Sequence, residues 1–364
     1  MANTYFFTGF PGFIATNLVK QLIQDREDCR HIYVLVLPDL LKKAEYEIDK
    51  LVKEAGVGRD QFTIVEGDIT KPQLAIDSGS QEKLKAVTHV FHLAAIYDLA
   101  VPEKLAVEVN VNGTENVNEW VQTLENIERY IYFSTSYVAG TREGRILETE
   151  LEMNQTFKNH YERTKYEAEV LVKGMMKSVP TTIIRPGIVV GHSRTGETVK
   201  FDGPYFILNF IDRLKGLPIL PYMGHGEAEG NFVPVDFIFR ATIYLGHSKA
   251  GAGKTYQLTD PKPYKVDEVY KMLMREFLGR TPKGRIPLSW GRLFMSSSRF
   301  RKWVRTEKEA LDYFTCKAEY DCTETQKDLA GSGISCPDFK EVIPAMVNFY
   351  KKHKNDPAKQ LKIQ

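Results

Sequence analysis

Thr8-Gly9-Phe10-Pro11-Gly12-Phe13-Ile14-Ala15 follows directly on a short apolar run, Tyr5 to Thr8, and leads into a segment with helical spacing, Ile14 to Ile23. Each part of this G-x-x-G-x-x-A arrangement has a physical reason. Glycine at 9 allows a tight strand-to-helix turn, glycine at 12 lets the backbone approach a pyrophosphate, and the small Ala15 permits close packing of helix on strand. The N–H groups and partial positive charge at the helix start would face the phosphates. Thr8, Gly9, Phe10, Pro11, Gly12, Phe13 and Ile14 are therefore candidate dinucleotide contacts.

Outward from this turn the same punctuation repeats. Ile32 to Leu37, Phe62 to Glu66, His89 to Leu93, Tyr130 to Ser134 and Thr182 to Arg185 are short β-rich runs, and Val107 to Leu124 and Tyr161 to Lys173 show helical spacing between them. Continuous apolar runs are what strands covered on both faces require. The alternation predicts an α/β fold, a Rossmann-type doubly wound parallel sheet over 1–190, completed by part of 230–260. After Gly191 proline, glycine and aromatic residues dominate, as in Phe201-Asp202-Gly203-Pro204-Tyr205. There 191–364 is expected to form a smaller substrate-binding lobe with C-terminal helices, with helical patterns at Val235 to Leu245, Val266 to Phe277 and Phe339 to Lys352. No internal repeat or low-complexity tract interrupts this plan.

Chemistry gathers at the carboxyl ends of the predicted strands, where ligands of such sheets bind. Gly67-Asp68-Ile69 follows the third strand, and the Asp68 carboxylate there can accept from an adenine amino group or cap the next turn. Ala94 and Ala95 end the fourth with small residues against which a cofactor can lie. Pro186, Gly187 and Ile188 follow the last, where backbone groups can meet a nicotinamide carboxamide. Tyr161-Glu162-Arg163-Thr164-Lys165 sets Tyr161 and Lys165 on one helix face. A neighbouring ammonium favours the phenolate, which makes proton exchange with a carbonyl or alcohol oxygen feasible. Upstream, Phe133-Ser134-Thr135-Ser136 ends a strand with hydroxyls, of which Thr135 is placed to hydrogen-bond a substrate oxygen.

Composition excludes several other classes. Charged residues make up 26% and the net charge is +2, a poor balance for a nucleic-acid binder that works by neutralising phosphate. Cys29, Cys316, Cys322 and Cys336 have no spacing suited to zinc or to a disulfide scaffold, and His192, His225 and His247 lack ligand company, so no metal is expected. The opening Met1-Ala2-Asn3-Thr4 lacks a basic n-region and an apolar h-region, and no stretch is apolar enough to span a bilayer. A cytoplasmic protein is expected.

The glycine turn, Ser134-Thr135-Ser136, the Tyr161 and Lys165 pair and Arg185-Pro186-Gly187, in that order over about half the chain, resemble the extended branch of the short-chain dehydrogenase/reductase superfamily. Within it the chain most resembles the thioester reductase and fatty acyl-CoA reductase group, of the male-sterility NAD-binding type. That resemblance rests on Gly67-Asp68-Ile69-Thr70-Lys71-Pro72, Asn110-Val111-Asn112-Gly113-Thr114, Asn159-His160-Tyr161, Gly191 to Gly196 and Val233-Pro234-Val235-Asp236. It implies that Thr135, Tyr161 and Lys165 are catalytic, with Lys165 also holding the nicotinamide ribose, and that an acyl thioester of coenzyme A or a carrier protein is reduced to aldehyde or alcohol. It also allows a homodimer.

One departure concerns the cofactor. Relatives that use NADPH carry arginine at the end of the second strand, and here Leu37 stands there. Asp39 can bond a ribose 2′-hydroxyl, whereas Lys42 and Lys43 can attract a 2′-phosphate; on family grounds NADP(H) is slightly favoured over NAD(H). A dehydrogenase of secondary alcohols or ketones is the nearest alternative, and a non-catalytic dinucleotide sensor the alternative from another class. The basic and aromatic stretch Arg292 to Arg305 could engage a carrier protein, coenzyme A phosphates or a membrane surface; the plainer reading is a solvated helix whose aromatics pack on the lobe.

Overall fold

The computed structural model describes residues 2–98, 101–224, 226–306, 311 and 315–361. Its strands in chain order are β1 (Asn3–Thr8), β2 (Cys29–Val36), β3 (Phe62–Glu66), β4 (His89–His92), β5 (Arg129–Phe133), β6 (Gly144–Ile146), β7 (Thr181–Pro186), β8 (Ile188–Val190), β9 (Tyr222–Met223), β10 (Phe232–Pro234), β11 (Lys254–Leu258), β12 (Arg285–Ile286) and β13 (Ala318–Tyr320). Seven of them form one sheet in the order β11-β7-β5-β4-β1-β2-β3, every pair parallel.

All six residues of β1 are buried, because the sheet is covered on both sides. Tyr5 and Phe7 point into a layer with the helices Phe13–Asp25, Leu41–Ala55 and Val235–His247, and Phe6 points into the opposite layer with Gly113–Gln122 and His160–Met175. Strand order reverses between β1 and β4, and the crevice beyond their carboxyl ends is where such sheets bind ligands.

The chain leaves this unit after β8 and comes back to it. The helix Val235–His247, from the 230–260 stretch expected to return to the sheet, packs on it: Phe237, Ile238, Ala241, Ile243 and Leu245 join the β1 core layer. Its apolar residues run nearly all round the helix, which demands burial on several sides. β11 then supplies the seventh strand beside β7.

The lobe has its own core. Phe201, Tyr205, Leu208 and Ile211 pack there with Val269 and Leu273 and with Phe339, Met346 and Tyr350. The basic and aromatic stretch folds as two short helices, Leu288–Ser296 and Ser298–Val304. Met295 and Val304 are buried, whereas Trp290, Phe294 and Trp303 are exposed and Leu293 is 70% exposed. These aromatics therefore do not all pack inward as the plainer sequence reading expects. Arg301 donates to the carbonyls of Met295 and Ser296 at 3.0 and 3.1 Å and so braces the turn between the helices. Among the described residues no helix is long and apolar enough to cross a membrane, and no group of His, Cys, Asp and Glu is arranged to hold a metal ion.

Candidate active site

At the crevice the backbone of the glycine turn lies close to the end of β4. Gly9 has φ +83°, and a Cβ there would sit 2.9 Å from the Ala94 nitrogen; at Gly12 a Cβ would sit 2.6 Å from the Gly9 carbonyl oxygen. No side chain fits at either point. The helix Phe13–Asp25 begins at Gly12 without a side-chain cap and without an acidic residue in its first turn, which leaves its N–H groups for an anion. A cradle that excludes Cβ atoms and offers backbone donors fits a dinucleotide pyrophosphate.

Thr8 lies beneath this cradle rather than in it. Its Oγ1 accepts from the backbone nitrogens of Leu93 and Ala94, both at 3.1 Å, so its proton is left for Nδ1 of His92 at 2.8 Å. Burial holds His92 neutral, its pKa lowered to about 3. With Nδ1 accepting, Nε2–H donates to Thr114 Oγ1 at 3.2 Å, and Thr114 in turn donates to the Asn110 carbonyl at 2.6 Å. This chain ties β1, β4 and the helix behind them into one rigid floor.

Asn110 sits in a widened, π-type stretch, Val107–Asn112, of the kind often found at functional sites. Its Oδ1 accepts from Ile96 N at 2.8 Å and its Nδ2 donates to Thr164 Oγ1 at 3.1 Å. The loop after β4 and the helix carrying Tyr161 are thereby joined. That helix starts on Asn159, whose side chain accepts from Glu162 N at 2.9 Å, while Glu162 accepts from Lys158 N at 3.0 Å. Such reciprocal capping sets where the first turn, and hence Tyr161, stands.

Tyr161 is buried on the cleft wall near Thr135, whose Oγ1 accepts from Tyr137 N at 3.3 Å. Burial pushes its phenol well above the usual tyrosine range, opposed by the nearby Thr135 hydroxyl. Thr135 is singled out by its neighbours: Ser134 donates to Glu169 at 2.5 Å and Ser136 donates to the Arg185 carbonyl at 3.1 Å.

Lys165 is also buried, and its Nζ donates to Tyr132 Oη at 2.9 Å and to the Phe133 carbonyl at 2.7 Å. Tyr132 has Thr114 as a neighbour, which ties the lysine to the floor around His92. The expectation that Lys165 drives Tyr161 toward phenolate is not met in this geometry, because burial dominates at Tyr161 and the ammonium is directed to β5. One of the three Nζ donors remains for a ribose hydroxyl. Burial lowers Lys165 to about 7, partly offset by Glu169. The folded protein therefore binds fewer protons here than the unfolded chain between about 7 and the ordinary lysine value of 10.5, so this group makes stability rise with pH across that window. Urea unfolding of the wild type and of Lys165→Met at about pH 7 and about pH 9 should show the wild type gaining on the variant as pH rises. Identical pH dependence in the two would contradict a Lys165 whose protonation is weakened by burial.

Phe10, Pro11, Phe13, Ile14, Asp68, Ile69, Ala94, Ala95, Pro186, Gly187 and Ile188 all line one cleft of about 1310 Å³ with Gly9, Gly12, Thr135, Tyr161 and Lys165. Asp68 both lines it and caps its own turn, Oδ1 accepting from Thr70 N at 2.8 Å. Asp39 and Lys42 are exposed and do not line the cleft, whereas Leu37 and Lys43 do. Sequence reasoning missed Tyr132, Thr114 and Asn110 as partners of the catalytic group, and also the far wall, Thr198 to Lys200 and Pro357 to Leu361. The two segments of that wall are joined where Phe201 N donates to the Lys359 carbonyl at 2.8 Å.

A family model described as male sterility protein, an NAD-binding model, matches residues 7–242. The chain belongs to the male sterility protein family. Its fold is that of the extended short-chain dehydrogenase/reductases. Among relatives of the family, the fatty acyl-CoA reductase wat of Drosophila melanogaster is 25% identical over 276 residues, 65% of this chain and 53% of that protein. The nonribosomal peptide synthetase asaC of Aspergillus flavus is 25% identical over 360 residues, 90% of this chain and 34% of that protein. The chain thus spans about half or less of the length of these curated relatives. The terminal R domain from the myxalamid PKS-NRPS biosynthetic pathway superposes with a TM-score of 0.82 at 25% identity, covering 99% of this chain and 93% of that one. An NAD-binding family agrees with the cradle at Gly9 and Gly12.

Proposed function

We propose that the protein is an NAD(P)H-dependent reductase of acyl thioesters, acting in the cytoplasm, where its four unpaired cysteines stay reduced. The observation that carries this reading is the buried Tyr161, set with Thr135 and Lys165 on the wall of the cleft that also takes in the glycine cradle, its phenol kept protonated by burial. A group kept protonated at neutral pH suits proton donation, hence reduction, better than oxidation. The cleft also exceeds the roughly 300–1,000 Å³ usual for one small ligand, leaving room for a dinucleotide and a substrate together.

A nicotinamide dinucleotide held by the Gly9 and Gly12 cradle and by Lys165 would supply a hydride to the thioester carbonyl carbon. Tyr161 gives its proton to the carbonyl oxygen as that oxygen takes up charge, and Thr135 steadies it by a hydrogen bond. Lys165 orients the ribose, held in place by Tyr132 and the Phe133 carbonyl. The resulting hemithioacetal breaks its C–S bond and releases thiol and aldehyde. Single-turnover reaction with NADPH deuterated at the transferable position should place one deuterium on the aldehyde carbon, read by mass spectrometry; aldehyde without deuterium would rule out this hydride path.

NADP(H) is the cofactor we favour. Lys43 is the cation on the cleft wall near the end of β2, while Asp39, which would repel a 2′-phosphate, stands outside the cleft. Loss of one charge-assisted contact in Lys43→Glu should raise KM for NADPH roughly tenfold and leave KM for NADH nearly as it was. Equal effects on both cofactors would remove Lys43 from this role.

A further inference from the structure

Outside the cleft, one stretch of chain sets itself apart by charge. From Phe277 to Thr306 there are eight arginines and lysines and no aspartate or glutamate. The whole chain carries only +2, so everything outside this stretch is net acidic. Within it lie the two short helices Leu288–Ser296 and Ser298–Val304. Trp290, Leu293 and Phe294, at i, i+3 and i+4, stand on the outer face of the first and are 49% to 70% exposed, while Gly291 and Met295 on its other face are buried. On the second helix Trp303 is 45% exposed and shares its face with Arg299 and Lys302, which are also exposed. Phe300 joins the two sets, its ring 5.7 Å from Phe294 and 5.8 Å from Trp303. Two of the chain's three tryptophans thus face water on one basic and apolar patch, of a kind that marks an interaction site.

We propose that this patch binds the surface of a membrane rich in anionic phospholipid, its apolar side chains entering the boundary between headgroups and acyl chains and its cations meeting the phosphates. The proposal goes beyond the reductase reading and does not depend on it. Basic residues interleaved with tryptophan, phenylalanine and leucine on a helix are the pattern of segments that lie in the interface. The indole ring, apolar with a single N–H donor, suits that depth. At nine and seven residues the helices reach roughly 14 and 10 Å, far short of a bilayer core, so the contact is peripheral. An acidic protein partner would meet the cations, but it would also need a hollow for each of four apolar side chains on two separate helices. A fluid interface takes them in any arrangement.

The third tryptophan, Trp120, is buried against Phe6, so a change in tryptophan emission on vesicles reports Trp290 and Trp303. The full chain is mixed with vesicles of phosphatidylcholine alone or of an equal mixture with phosphatidylserine, and binding is read by co-sedimentation. The titration is repeated with lipid brominated along the acyl chain, which quenches only indoles that enter the bilayer. The wild type should bind the mixed vesicles far better than the neutral ones, bind more weakly at high salt, and show blue-shifted emission that the brominated lipid quenches. Each lysine or arginine at an anionic surface is worth about fivefold in binding, so Arg299→Gln with Lys302→Gln should weaken it roughly 25-fold at low salt. Trp290→Ser with Leu293→Ser should weaken it roughly tenfold or more by removing apolar area. All four positions are exposed, and thermal unfolding checks that both double variants are folded. No binding to the mixed vesicles, binding without quenching, or undiminished binding in either folded variant would overturn the proposal. So would an acidic carrier protein that binds the wild type and neither variant while vesicles bind nothing, which would give the patch to a protein partner instead.

Discussion

Tyr161→Phe is expected to lower kcat for thioester reduction roughly 10²- to 10⁴-fold, the usual worth of a positioned general acid. Phenylalanine keeps the ring where it packs, at 5.1 Å from Tyr97 in an edge-to-face pair and against Val101 and Ala106, so the fold should be undisturbed. What goes is the phenolic hydroxyl that faces the cleft beside Thr135. NADPH affinity, followed by quenching of protein fluorescence, should stay within about threefold of the wild type, because the glycine cradle and Lys165 are untouched. Full activity in this variant would show that the proton comes from elsewhere.

The second large effect lies in folding rather than chemistry. Glu169 and Arg185 form an ion pair of 2.5 Å with side chains 0% and 1% exposed, and Glu169 also accepts from Ser134 at 2.5 Å. Arg185 reaches further, to the carbonyls of Glu148 at 3.3 Å and Glu150 at 2.8 Å. This cluster links the ends of β5 and β7, which carry Thr135 and Pro186-Gly187. Glu169→Leu leaves a guanidinium buried without its counter-charge and should cost about 3–5 kcal/mol, a large share of the roughly 5–15 kcal/mol that holds a typical domain together. Adding Arg185→Leu should restore part of the loss, since a buried pair replaced by apolar side chains is often neutral. Urea unfolding followed by circular dichroism measures both. A single variant within about 1 kcal/mol of the wild type would mean that the pair is not buried as described.

Much of this architecture is legible in the amino-acid order, for reasons that differ from element to element. The strands covered on both faces announce themselves as unbroken apolar runs, and β1 next to Gly9 and Gly12 decides the rest. β2 starts at Cys29, ahead of the expected Ile32, because Arg30 and His31 are partly or fully exposed at the open end of the strand and give no apolar signal. The helix Leu41–Ala55 buries Ala44, Ile48 and Leu51 at regular spacing, but its many charges draw the eye to Lys42 and Lys43 as phosphate ligands. The facing of those two lysines is set by the helical turn, which puts Lys43 toward the cleft and Lys42 away from it.

The site divides in the same way. Tyr161, Lys165 and Thr135 are recognisable because local spacing carries them. Tyr132 is hidden in an ordinary strand run, and its tie to Lys165 exists only through the pairing of a strand with a helix 33 residues further on. Nor does any local pattern tell which way Lys165 points, so the balance between burial and charge at Tyr161 could not be read in advance. The wall formed by Thr198 to Lys200 and Pro357 to Leu361 depends on contacts between segments about 160 residues apart, as with the hydrogen bond from Lys359 to the Thr198 carbonyl, |i−j| of 161.

The most direct measurement is the absorbance of NADPH and NADH mixed with the purified protein and palmitoyl-CoA, with Tyr161→Phe as the control and the product trapped as a hydrazone. Oxidation that requires the thioester, proceeds faster with NADPH, yields the aldehyde and disappears in the variant is the expected result. Oxidation driven by ketones or alcohols alone, or thioester-dependent oxidation that survives in Tyr161→Phe, would contradict it.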